Sequence, residues 1–312
     1  MSEPAYPRTL AEFDRQFATE QGCRQYLADL RWPAGFCCPC CQATDAWLTG
    51  RGLMHCSVCG AQTSVTAGTV FHRTRRPLRL WFQVMWWVCG QKNGSSALGL
   101  KRLLGLRSYQ TAWAWLHKLR RAMVCPGRER LTGAVEVDET FVGGWEEAGG
   151  RRRVGKKALV AVAAEIRGRA TGRIRLARAA DSRAESLGGF VKQAVAPGTR
   201  VLTDGLRSYG GLGESGYVHE IKVPKHRKEA VVMLPRVHRV VSLLKGWLVG
   251  THQGRVESAH LPYYLDEFVF RFNRRTAGSR GLLFHRLAQQ AVAVKAVPYR
   301  SLIGGTEADH NS

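Results

Sequence analysis

The sequence predicts an α/β protein with small metal-binding and helical modules ahead of its main domain, and three observations carry that prediction. The stretches LTGAVEVDETFVGG, KKALVAVAAEI and GRIRLARAA each alternate apolar and polar residues between glycine and basic turns, as three antiparallel strands do. Well before them stand two C-x-x-C pairs roughly 14 residues apart. Between these regions two short helical segments, SSALGLKRLLGL and SYQTAWAWLHKLRRAM, flank the tight break GLRS.

Residues 1–72 are expected to hold a polar helical start and a cysteine module. Leu10, Phe13, Phe17 and Tyr26 are expected to point inward from the helices. In GFCCPCCQATDAWLTGRGLMHCSVCG each C-x-x-C pair sits on a turn-prone knuckle, which suits four tetrahedral thiolates around a structural zinc ion. Cys56 and Cys59 form one pair; the other is Cys38 with Cys41, or Cys37 with Cys40 in the alternative register.

Residues 73–130 begin with an apolar helix around LWFQVMWWV. In the last helix of this region Tyr109, Ala112, Leu116, Leu119 and Met123 make one stripe, and Lys118, Arg120 and Arg121 lie off it. With Lys101, Arg102 and Arg107 nearby, a basic second helix after a tight glycine-containing turn describes a helix-turn-helix, so these six cations are the candidate DNA contacts.

Residues 131–296 carry the three strands, then the helical DSRAESLGGFVKQAV with Asp181 as its expected N-cap, the short strand TRVLTDG, a strand in YVHEIKV, and further helices. Three strands, a helix, a strand and then helices is the order of an RNase H-like α/β domain, a mixed sheet with flanking helices. Residues 297–312 read as a tail whose end is disordered.

Composition narrows the function. In 312 residues the formal net charge is +23, spread along the whole chain, which favours a polyanionic partner such as nucleic acid. The start MSEPAYPRTLAEFD lacks the features of a signal peptide, and the most apolar run is too short to span a bilayer. A cytoplasmic protein with no membrane partner is expected, its nine cysteines serving as thiols or metal ligands rather than disulfides.

Against that basic background, two aspartates sit where strands should bury apolar residues: Asp138, between Glu136 and Glu139, and Asp204 at the end of TRVLTD. Paired carboxylates in one cleft repel each other unless a cation neutralises them, and their oxygens suit Mg²⁺ or Mn²⁺. In LPRVHRVVSLLKGWLVGTHQG, residues Val237, Val240, Val241, Leu244 and Leu248 fall on one helical face. His238 and Lys245 project two turns apart at its margin, a spacing that by itself also fits a surface pair.

EVDETFVGG, LTDGLRSYGGL, the SLLKGWLVGTHQG helix and YLDEFVFRFNRRT, in that order, resemble the catalytic domain of bacterial DDE-type insertion-sequence transposases. The group resembled carries an N-terminal zinc ribbon and an ISXO2-like transposase domain. CPCC and CSVC, AGTVFHRTRRPLRLWF, and SYQTAWAWLHKLRRAM are similar to its ribbon and helix-turn-helix, and the resemblance covers roughly residues 20–290. It implies that Asp138 and Asp204 are the first two catalytic acids and that Lys245 is the basic residue following the third. His238 stands where most members place Glu, a DDH variant; Glu267, in YLDEFVFRFNRR, is the fallback ligand, expected otherwise to pair with Arg271 or Arg274. The implied activity is metal-dependent cleavage at the element's ends and strand transfer into target DNA, with two Mg²⁺ or Mn²⁺ ions. Its implied partners are terminal inverted repeats, target DNA and further copies of the chain in a synaptic complex. A DNA-binding regulator without catalysis leaves the strand-embedded aspartates unexplained, and a structure-specific nuclease of the same fold would cut without joining.

Overall fold

In the computed structural model, which describes residues 6–124, 127–143, 145–148, 151–154, 157–223, 233–254 and 256–303, two threonines open the first helices. Thr9 Oγ1 accepts the Glu12 N–H at the start of α1 (Leu10–Gln16), and Thr19 Oγ1 accepts the Gly22 N–H at the start of α2 (Glu20–Arg31). Phe13, Phe17 and Tyr26 are buried as expected, whereas Leu10, at the outer edge of the first turn, is 58% exposed. A small antiparallel sheet follows, in the order β1 (Ala46–Leu48), β2 (Met54–Cys56), β3 (Gln62–Thr63). Helix α3 (Leu78–Gly90) has no cap of its own; the Glu20 carboxylate accepts its first N–H groups, from Leu78 at 2.9 Å and Arg79 at 3.3 Å.

Serines cap the next two helices, Ser96 on α4 (Ala97–Leu103) and Ser108 on α5 (Tyr109–Arg121). Between them Gly105 adopts φ +60°, its N–H bonding to Arg102 O while the Leu106 N–H reaches Lys101 O at 3.0 Å. That is a Schellman stop, and a left-handed residue is what the tight turn requires.

The second compact unit of the chain, Gly127–Arg275, holds the large sheet. Its strands are β4 (Ala134–Val142), β7 (Ala158–Arg167), β8 (Ala170–Ala179), β9 (Arg200–Thr203) and β10 (Val218–Ile221), in the spatial order β10-β9-β4-β7-β8. β4, β7 and β8 are antiparallel, while β9 runs parallel to β4 and β10 parallel to β9. Between β4 and β7 lies a hairpin the sequence pattern did not suggest, β5 (Trp145–Ala148) with β6 (Arg151–Val154).

Helix α6 (Ala184–Ala194) covers one face of the sheet, its Leu187 and Val191 packing with Val135, Val137, Leu159 and Ala161. Helices α7 (Pro235–His252) and α8 (Leu261–Asn273) cover the other, where Val237, Val240, Leu244, Leu265 and Phe268 meet Val160, Val162, Ile174 and Leu176. Covering both faces explains why β7 is buried at eight successive positions instead of alternating. This is the expected RNase H-like mixed sheet with flanking helices. Asp181 is not the N-cap of α6: Arg183 occupies that place, and Asp181 instead accepts the Arg183 N–H at 3.0 Å and the Ser186 hydroxyl at 2.7 Å.

The last helices, α9 (Arg280–Ala293) and α10 (Tyr299–Ile303), belong to the first unit, which comprises Met1–Pro126 with Thr276–Thr306. The catalytic domain is expected to run to residue 296; the compact unit that holds the sheet ends at Arg275. The apolar face of α9 completes an aromatic cluster: Phe284 lies 5.5 Å from the rings of Phe13, Phe17 and Phe82, and Tyr26 meets His285 Nδ1 at 2.7 Å. Of the expected tail, α10 is helical, and residues 304–312 lie outside the described ones.

Candidate active site

Alternation along β4 assigns its side chains to two faces. Val135 and Val137 enter the core under α6; Glu136 and Asp138 turn to the face that α7 covers. On the parallel neighbour, the register that pairs Glu136 with Leu202 puts Asp204 opposite Asp138 two residues further on, just past the last residue of β9. Asp204 Oδ1 accepts the Leu206 N–H at 3.0 Å, closing an Asx turn. Gly205 makes that turn possible: its φ is +88°, and a Cβ there would lie 2.8 Å from Ile221 Cγ2.

The third side is supplied by α7 and tied to β4 by Glu136. Its carboxylate, 1% exposed, accepts the N–H groups of Arg236 at 2.7 Å and Val237 at 3.0 Å, next to Pro235 at the helix start. Arg236 Nη1 adds an ion pair with Glu136 Oε1 at 3.1 Å, and Nη2 donates to Gly168 O. An acid from the sheet thus caps the helix, complements its dipole and fixes the first turn. His238, half-buried, follows directly; Lys245 lies two turns on, exposed. Sequence reading named Glu136 only as a neighbour of Asp138. Its two-residue spacing, which puts both on one strand face, was the available signal.

Burial is the main cause that pushes the Asp138 carboxyl up to about 6. The Glu139 N–H, 2.8 Å from Oδ1, opposes it; the negative charges of Glu139 and Asp204 add to it, and the charge of His238 lowers it. Glu139 looks to the opposite face, where its Oε2 accepts the hydroxyl of the fully buried Tyr209 at 2.8 Å, and burial raises its carboxyl too. The charges of Asp204 and His238 thus both reach Asp138. Carboxylates and an imidazole are the ligand chemistry of a hard divalent cation, which would relieve the repulsion of the acids. Among the described residues, however, only the four thiols described below already lie close enough together to share one ion. Glu267 is differently engaged: 1% exposed on α8, it accepts Arg271 Nε at 2.9 Å and Nη2 at 2.7 Å, the pairing its spacing suggested.

The thiol cluster is tighter. The sulfur atoms of Cys38, Cys41, Cys56 and Cys59 lie within 4.8 Å of one another, while Cys37 and Cys40 are exposed outside the group. The two knuckles share one geometry. Cys38 O accepts the Gln42 N–H at 2.9 Å and Cys56 O the Gly60 N–H at 3.0 Å, with Gln42 and Gly60 both left-handed at φ 62° and 70°. Backbone N–H groups of Cys41 and Cys40 pull the Cys38 thiol down to about 7, and those of Cys59 and Val58 lower Cys56. A four-thiolate knuckle pair of this kind supports a structural zinc ion.

Of the candidate DNA contacts, Arg102 and Arg107 are exposed, and Lys101, Lys118 and Arg121 half-buried. Arg120 departs from expectation. Its side chain is buried, 2% exposed, with Nη1 3.4 Å from His117 Nε2, so it packs inside the first unit rather than presenting a charge to a ligand. Tyr109, placed on the buried stripe by periodicity, is 47% exposed in the first turn of α5. No described helix is long and apolar enough to cross a membrane.

Residues 130–273 match the ISXO2-like transposase domain, and residues 18–62 match the transposase zinc-ribbon domain. The chain is also 29% identical over 132 residues to an uncharacterized protein in transposable element ISH50 of Halobacterium salinarum, an alignment covering 41% of this chain and 44% of that relative. The ribbon match ends with β3, and the transposase match brackets the sheet, α7 and α8, so each falls on one of the modules described above. With both domains matched in this order, the chain is similar to the ISXO2-like insertion-sequence transposases that carry a zinc ribbon ahead of the transposase domain.

Proposed function

We propose that this transposase cleaves DNA at the ends of its insertion sequence and joins those ends to target DNA, with Asp138, Asp204 and His238 holding the catalytic Mg²⁺ or Mn²⁺. The reading rests on one observation above the rest: Asp138, on the central strand β4, feels the charges of Asp204, just past the end of the neighbouring β9, and of His238, in the first turn of α7. When bound, the cations supply Lewis-acid stabilisation for in-line phosphoryl displacement and lower the pKa of the attacking hydroxyl. The protein's own groups do the rest. Asp138 gives oxygens from the middle of β4 and Asp204 from the turn just past β9, and His238 gives a softer nitrogen and one negative charge fewer than Glu would, which favours Mn²⁺. Glu136 holds α7, and with it His238, against β4. Lys245 supplies a point charge to a phosphate of the bound strand.

The test is strand transfer in vitro, using labelled duplexes taken from the DNA flanking the reading frame. Asp138→Asn and Asp204→Asn should lose both cleavage and joining while retaining DNA affinity, because the charge removed serves metal and not phosphate. Joining by either variant would strike that residue from the site. Cutting without joining by the unaltered protein would make it a nuclease of the same fold.

A further inference from the structure

Four arginines of the first unit converge on a cleft that the site above does not use. The cleft has a volume of about 490 Å³ and lies between α2, the β1–β2 turn, the segment after β3 and the segment leading into α3. Arg24 comes from α2, Arg51 from the turn, and Arg75 and Arg76 from the approach to α3. All four are exposed, and no ion pair engages any of them among the described residues. The one carboxylate in the lining, Glu20, is already held by the N–H groups of Leu78 and Arg79.

The cleft is built rather than incidental. Gly52, at φ +73°, lets the ribbon turn pass under Arg24; a Cβ there would lie 2.8 Å from Arg24 Nη1. Arg31 Nη1 fixes the opposite wall by donating to Ser64 O at 3.0 Å and Val65 O at 2.8 Å. Four like charges gathered against a single engaged carboxylate repel one another, and a polyanion is the ligand that relieves the repulsion. Planar guanidinium groups match phosphate oxygens two at a time. No aromatic side chain lines the cleft, so it offers no platform on which an unpaired base could stack.

We propose that this cleft seats the phosphodiester backbone of duplex DNA, independently of base sequence. The ligand follows from the transposase reading, but the test reads binding and not joining. Arg24→Ala/Arg51→Ala and Arg75→Ala/Arg76→Ala would be titrated against a labelled duplex of arbitrary sequence, without divalent metal, over a range of KCl concentrations. Zinc content and thermal melting matched to the parent would confirm the fold of each. For each double variant the slope of log affinity against log salt should shrink by about two, one unit per lost phosphate contact. The corresponding Arg→Lys variants should keep the parent slope. Slopes equal to the parent's in folded Ala variants would overturn the site, and loss confined to single-stranded oligonucleotides would overturn the duplex assignment. A parent that binds with the full slope but never joins ends would sink the proposed chemistry and leave the cleft standing.

Discussion

His238 is the residue whose role discriminates most sharply between site assignments. It sits one position beyond the two backbone amides that Glu136 accepts, whereas Glu267, its rival as third ligand, is already paired with Arg271 at 2.7 Å. His238→Ala should therefore abolish strand transfer while preserving DNA affinity. Glu267→Gln should keep its chemistry and lose about 1–3 kcal/mol of stability, because it leaves a mostly buried guanidinium without its counter-charge. Urea unfolding and joining assays on both proteins separate the outcomes; joining by His238→Ala but not by folded Glu267→Gln would reverse the assignment. At this scale much was legible. Asp138 and Asp204 stood out because a carboxylate interrupted an apolar strand, and the pairing of Glu267 followed from helix spacing. Arg120 was not legible: a basic residue beside an apolar stripe looks the same in sequence whether it reaches solvent or folds back onto His117.

Among the elements, α7 depends most on a distant partner. Its first turn has no cap from neighbouring sequence, and the groups that satisfy it come from β4, a hundred residues earlier. Glu136→Gln keeps the shape but removes the charge facing Arg236 and the helix dipole, and should cost about 1–3 kcal/mol. Glu136→Ala leaves the Arg236 guanidinium unpaired as well and should cost about 3–5 kcal/mol. If the tie also sets His238, Glu136→Gln should slow joining at temperatures where it remains folded, with DNA affinity unchanged; joining at the parent rate would reduce Glu136 to a purely structural role. Long-range capping of this kind explains part of what the sequence left hidden. Helix α7 itself was plain from its apolar face, but nothing local announced that Glu136 would close its end, or that Arg183 would displace Asp181 at the start of α6. The β5–β6 hairpin escaped for another reason: WEEA and RRRV are mostly charged and show no alternation of apolar and polar residues.

In the molecule as a whole, two units with different sources of stability share one chain. The ribbon has a core of only a few buried residues around Cys38 and Cys56, so metal ligation must carry much of its folding free energy. A Cys56→Ser/Cys59→Ser variant should bind no zinc by metal analysis, and its ribbon should lose protection from proteolysis. The unit Gly127–Arg275, with its own sheet and two covering layers, should still melt cooperatively. Retention of a full zinc equivalent by that variant would rule out the four-thiolate site. The order of domains was readable from motifs. Where the second unit ends was not, because α9 shows an ordinary amphipathic face and periodicity does not say which core receives it.

That unit boundary has a consequence in time. A ribosome delivers α1 to α5 first, then the whole of the sheet unit, and only afterwards Phe284, which meets Phe13, Phe17 and Phe82. At about 5–20 residues per second, the earlier rings wait on the order of ten seconds for the ring that covers them. By the end of that interval Arg275, the last residue of the unit with the carboxylates, has been added, nine residues before Phe284, while the unit with the arginine cleft still exposes an unfinished aromatic face. The nascent chain thus acquires its candidate cutting site before the rest of its DNA-holding unit is assembled.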